Sequence, residues 1–254
     1  MTAAATRTDH VGRTQARVVW PHNTALACGA ACAAFAHGNF AIPVAGWLAP
    51  FFLLLGVRGA GGRTLLVGAV LLATAQAAAW RGALPFNGWI YFAVTTAVGL
   101  TFYLPYLADR LLYPKLPAPL STLVFPLGLV SVETIFSRVG YGTWGLLGYS
   151  QAGELPLLQV LSVAGLAGLT FLIGWAASVA ADVVRYGLHE KGRRYAAAAA
   201  LALLGLSLAL GGMRVALARP GGTVVRIAGI TIENDAIFKD TWGPLTYGKP
   251  LSVD

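Results

Sequence analysis

Apolar stretches recur along the chain at Thr24–Ala36, Ile42–Val57, Leu65–Ala79, Trp89–Leu107, Leu120–Phe136, Leu157–Val184 and Tyr195–Leu210, with most of the charges in the short segments between them. A helix rises about 1.5 Å per residue and a bilayer hydrocarbon core is roughly 30 Å thick, so about 20 such residues make one crossing. The pattern predicts an all-α polytopic membrane bundle of about seven transmembrane helices. The first two stretches are short and are separated by the polar His37–Gly38–Asn39. Joined as one helix they would run to about 50 Å, too long for a single crossing. They read as a hairpin that either crosses fully or dips into the bilayer, with both ends on one side.

Composition agrees with the pattern. Of the 254 residues 57% are hydrophobic and 11% charged, and mean hydropathy is +0.67, whereas soluble domains carry about 25% charged residues. The formal charge of +8 does not indicate nucleic acid, because the basic residues sit in small clusters between apolar stretches and form no basic face. Those clusters carry topology instead. Arg7, Arg13 and Arg17, then Arg58 and Arg63, then Arg110 and Lys115, then Arg185, Lys191, Arg193 and Arg194 fall on one side; Arg81, Arg138, Arg214 and Arg219 fall on the other. Lys and Arg in short loops favour the cytoplasm, so residues 1–20 are expected as a retained cytoplasmic tail and residues after 217 as extracytoplasmic.

Several positions inside the spans bear on packing. Trp89 and Tyr91 at one end of the fourth stretch, and Tyr103, Tyr106 and Tyr113 at the other, are placed as interfacial rings. Pro126 is expected to kink the fifth stretch. Ala164, Gly165, Gly168 and Gly174 are expected to form a close helix contact. Cys28 and Cys32 lie one turn apart in an Ala-rich stretch without a His or carboxylate neighbour in sequence, and read as packing residues with no disulfide framework. After Arg219–Pro220–Gly221–Gly222, the β-branched run Thr223–Ile232 reads as a buried strand opening a further domain. The expected organisation is a tail over 1–20, a transmembrane domain over 21–217 and the start of an α/β domain over 218–254.

An ionisable residue in a span is a functional candidate by default, because it is expensive there. Glu133, within about a turn of the outer end of the fifth stretch, is the clearest instance, either lining a substrate cavity or anchoring structure. Asp109 and Asp182, beside Arg110 and Arg185 at inner ends, are expected to be solvated. Gln76 is placed as a hydrogen-bonding group between helices. The loop from Ser137 to Pro156 combines glycines, large rings and few charges in Arg138–Val139–Gly140–Tyr141–Gly142–Thr143–Trp144–Gly145 and Gly148–Tyr149–Ser150–Gln151. Irregular apolar backbone must be covered by protein or sit at the interface, so this loop is either an aromatic belt or part of a site.

The run from Glu133 through Trp144 to Gly148–Tyr149–Ser150–Gln151, followed by Leu155–Pro156–Leu157 and the Gly165 to Gly168 helix, resembles the segment joining two late membrane helices in apolipoprotein N-acyltransferases. The resemblance implies a multi-pass enzyme of the bacterial plasma (inner) membrane, with membrane helices preceding an extracytoplasmic nitrilase-like (carbon-nitrogen hydrolase) domain. Such enzymes move an acyl chain from a phospholipid donor to a Cys thiolate as a thioester, then to the N-terminal Cys of a lipoprotein acceptor, aided by a Glu base and a Lys at the oxyanion. None of those three catalytic residues maps onto a position of this chain, and no cofactor or metal is implied. Glu133, Trp144, Tyr149 and Gln151 are the expected substrate-binding residues. Two departures stand out: Arg138 follows Glu133 by five positions where the family has an Arg one turn on, and Gly142–Thr143–Trp144 replaces Phe-Pro-Trp. The alternatives are a non-catalytic membrane module scaffolding a glycolipid-synthesising partner, or a membrane-anchored nitrilase-type amidase.

Overall fold

Each apolar stretch is helical in the computed structural model, which describes residues 21–38, 41–84, 88–143 and 145–218. The helices are α1 (His22–Ala34), α2 (Pro43–Val57), α3 (Gly62–Ala79), α4 (Gly88–Leu112), α5 (Val124–Phe136), α6 (Leu155–Leu158), α7 (Leu161–Tyr186) and α8 (Lys191–Leu217). No strand occurs among the described residues. The strand expected at Thr223–Ile232, with the α/β domain it was to open, lies outside them, as does the tail over 1–20.

Among the described residues five segments are long and apolar enough to cross a membrane: Gly62–Ala79, Gly88–Lys115, Leu120–Val139, Leu161–Tyr186 and Lys191–Leu217. About seven helices were expected, with the first two left open between crossing fully and dipping in, and it is those two that fall short. Helices α1 and α2 have 13 and 15 residues and each reach only about 20 Å. Pro21 and Pro43 set their starts, where a missing N–H is not needed. They do form the expected hairpin: His22 at the start of α1 bonds the Gly56 carbonyl near the end of α2, 2.8 Å from Nδ1. The pair is the centre of the core, with Leu26, Leu53 and Leu54 buried against Leu72, Phe125 and Leu129.

One end of the bundle is closed by charges. Arg58, at the C-terminus of α2, donates to both carboxylate oxygens of Asp109 on α4 at 2.8 and 2.9 Å, and to the Ser178 carbonyl and hydroxyl of α7 at 3.0 and 2.7 Å. Its guanidinium lies over the Tyr113 ring. Asp182 on α7 accepts from Arg193 of α8 at 3.0 Å and from the Tyr113 hydroxyl. Asp109 and Asp182 are therefore buried and ion-paired, contrary to the expectation that they are solvated. Their partners come from other helices, not from the adjacent Arg110 and Arg185, which instead donate to the carbonyls of Ala60 and Arg58.

Three further expectations change. Tyr103, Tyr106 and Tyr113 are core residues, with Tyr103 donating to the Leu65 carbonyl, while Trp89 is exposed as an interfacial ring would be. Pro126 falls in the first turn of α5, directly after the 3₁₀ turn Leu120–Leu123, a position where proline is tolerated and not the helix interior where a kink was expected. The small residues of α7 share no single face, because Gly174 packs on Pro126 of α5 whereas Gly165 is a backbone kink with φ of 61°.

Candidate functional site

The opposite end of the bundle carries the glycine-aromatic loop. Helix α5 runs out through a π-helical turn, Ser137–Tyr141, and the chain returns through the 3₁₀ turn Leu147–Gln151 before α6. The first N–H of such a turn has no partner within it. Glu133 supplies one: Oε1 accepts the Leu147 N–H at 2.8 Å while Oε2 accepts the Thr170 hydroxyl of α7 at 2.7 Å. A carboxylate buried to 3% exposure thus ties α5, the returning loop and α7 together.

Gln151 is the second anchor, at 1% exposure. Its Oε1 accepts the Trp47 indole N–H at 3.1 Å, and its Nε2 donates to the Pro43 carbonyl and the Ser150 hydroxyl, each at 2.9 Å. Ser150 in turn donates to Leu147 at 2.7 Å. The loop is thereby clamped to the N-terminus of α2. Gly46 permits this approach, since a Cβ there would overlap the Ser150 side chain. Gly145, with φ of 80°, lies against the Trp80 ring, where a Cβ would come within 2.6 Å.

The expected site residues therefore separate by position. Glu133 and Gln151 hold the loop from beneath. Tyr149 is 44% exposed above them, its hydroxyl sharing a 2.8 Å hydrogen bond with Thr143. Trp144 lies outside the described residues.

Below the loop a cavity of about 50 Å³ is lined by Ala33, His37, Gln76, Tyr106 and Glu133 among others. It can take one or two waters but not an acyl chain. Gln76 accepts from the Trp80 indole at 2.9 Å and pairs with His37 Nε2 at 3.0 Å, so it joins the end of its own helix to the turn after α1 where a bond between helices was expected. Nδ1 of His37 is the one buried side-chain atom among the described residues with no hydrogen-bond partner. No cluster of metal-binding side chains occurs among the described residues.

Trp47, Pro43, Thr170 and His37 were not foreseen as parts of this region. Trp47 is 104 positions from Gln151 and Thr170 is 37 from Glu133, and neither position carries a local signal of its partner.

Residues 27–179, more than half of the chain, match the family model of the apolipoprotein N-acyltransferase N-terminal domain. The match begins in α1, takes in the whole loop and ends within α7. No curated protein matches the chain.

Proposed function

The chain belongs to the apolipoprotein N-acyltransferase family, and from that membership we propose that its membrane bundle serves an enzyme transferring an acyl chain from a phospholipid to the N-terminal Cys of lipoproteins. The covalent steps fall to residues for which this sequence offers no counterpart, since its two cysteines both lie in α1. The bundle's part is to seat the lipid donor at the surface of the bilayer.

The observation that carries this reading is the loop held by Glu133 and Gln151. A lipid-handling surface needs rings and aliphatic groups for the chain, a few polar groups to orient the head, and a rigid support. Tyr149 and Thr143, together with Trp144, supply the first two. Glu133 and Gln151 supply the support, acting as positioning residues. The charged end then faces the cytoplasm and the loop faces the outer leaflet, as the excess of Arg and Lys at the charged end favours.

The test is acyl transfer from phospholipid to a diacylated lipopeptide by the full-length gene product in membranes. Lipid-dependent transfer that drops on Tyr149→Ala, with the protein still folded, supports the reading. Absence of any transfer with every phospholipid donor would overturn it in favour of a non-catalytic membrane module.

A further inference from the structure

A second concave surface lies away from the loop, between α7 and α8. The two helices pack tightly near the charged end, where Val179 meets Ala196 and Ala200. Further along they diverge. Gly165, at φ of 61°, turns the first stretch of α7 aside, and near its far end α8 is held where Gly211 meets the Pro156 carbonyl of α6. Between these two contacts a groove of about 370 Å³ opens, walled by Val163, Gly168, Phe171, Leu203, Leu206 and Leu210.

The groove is separate from the loop anchors. At about 100° per residue, Gly168, Phe171 and Leu172, which line it, lie on the side of α7 opposite Leu166, Thr170 and Ile173. Thr170 is the residue that holds Glu133.

Its polarity is one-sided. Gln159, Ser162 and Arg214 are at the end nearest the α8 C-terminus, and the rest is almost wholly apolar. Arg214 Nη1 donates to the Ser162 hydroxyl at 2.5 Å. No carboxylate is within ion-pair distance of Arg214 among the described residues, and a guanidinium carries five N–H donors in a planar fork suited to phosphate. From Leu203 to Arg214 α8 rises about 16 Å, close to the depth of one leaflet in a hydrocarbon core of about 30 Å. An apolar trough one leaflet deep, with a cation at its mouth that has no carboxylate partner among the described residues, matches a lipid in both length and charge.

We propose that this groove binds one acyl chain of an anionic glycerophospholipid, with Arg214 and Ser162 on its phosphate. The site is distinct from the loop and does not depend on acyl transfer. A lipid seated there fills the gap that the kink at Gly165 leaves between two spans.

The test uses the protein in nanodiscs of phosphatidylglycerol or phosphatidylcholine, with lipids that stay bound after release counted by native mass spectrometry. The wild type retains one phosphatidylglycerol more firmly than phosphatidylcholine. Arg214→Gln, on an exposed side chain, weakens phosphatidylglycerol retention about tenfold and phosphatidylcholine retention by less, because the choline ammonium already offsets that lipid's phosphate. Ser207→Trp, which places a ring in the trough, reduces retention of both, whereas Leu201→Trp on the exposed part of α8 changes neither. Equal retention of the two lipids by the wild type, or no change with Arg214→Gln, overturns the proposal. A dimer that Ser207→Trp dissociates also overturns it, by assigning the groove to a second copy of the chain.

Discussion

Arg58 and Asp109, on α2 and α4, form a two-pronged ion pair at 2.8 and 2.9 Å with both side chains sealed inside the bundle. Burying two charges is expensive, and the arrangement is tolerable because Ser178 and the Tyr113 ring engage the rest of the guanidinium. Removing one partner leaves the other charge stranded. Asp109→Asn should destabilise the protein by about 3–5 kcal/mol, measured by unfolding in detergent. The double change Arg58→Met with Asp109→Leu should recover most of that loss, because an apolar pair strands no charge.

Glu133 tests whether the loop is held as described. Replacing it with Leu keeps roughly the size but removes both acceptors. The Leu147 N–H and the Thr170 hydroxyl are then left without the carboxylate, a penalty of about 1–3 kcal/mol for each buried group left unpaired. Backbone amides of Leu147–Gln151 should exchange roughly tenfold faster with solvent deuterium. Thr170→Val, which removes only the second contact, should give a smaller increase. Unchanged exchange in both variants would show that the carboxylate does not position the loop.

Orientation gives a separate prediction. Arg63, Arg110, Lys115, Arg185, Lys191 and Arg194 all lie at the charged end, so that end should be cytoplasmic and the α8 C-terminus extracytoplasmic. Alkaline phosphatase fused after Leu217 should be active, and a cytoplasm-active fluorescent protein fused there should be dark. The reverse pair of results would invert the topology.

The cysteines make a fourth. Cys28 and Cys32 are partly buried in α1, and Cys32 packs against the core. Neither sits at the loop. Residues 1–254 assayed alone should form no acyl-thioester, and Cys28→Ser or Cys32→Ser should leave lipid binding unaltered. A thioester that either change abolishes would place the nucleophile in α1.

Much of this was legible in the sequence, for physical reasons that also explain the misses. Periodic apolar stretches locate helices because the bilayer sets their length, and Gln76 and Glu133 stood out because polar groups inside spans need partners. The hairpin of α1 and α2 followed from His37–Gly38–Asn39 between two stretches each too short to cross. What could not be read was which partner each polar group takes. Asp109 has Arg110 beside it, yet pairs with Arg58, because consecutive helical residues point about 100° apart and the fold brings α2 against α4. Tyr103 and Tyr106 looked interfacial by type; only packing against Leu65 and Phe125 makes them core. The kink at Gly165 was likewise hidden, since Gly in a membrane helix reads equally well as a packing contact.

On the proposed function the glycine-aromatic loop, rather than the bundle as a whole, handles the lipid donor. The most direct measurement compares turnover of phospholipid and diacylated lipopeptide with thermal stability, for Trp144→Ala and Tyr149→Ala in the full-length gene product. Turnover should fall roughly tenfold or more in each, while the unfolding midpoint stays near that of the wild type. Turnover and stability falling together, or turnover unchanged with the rings gone, would contradict the account.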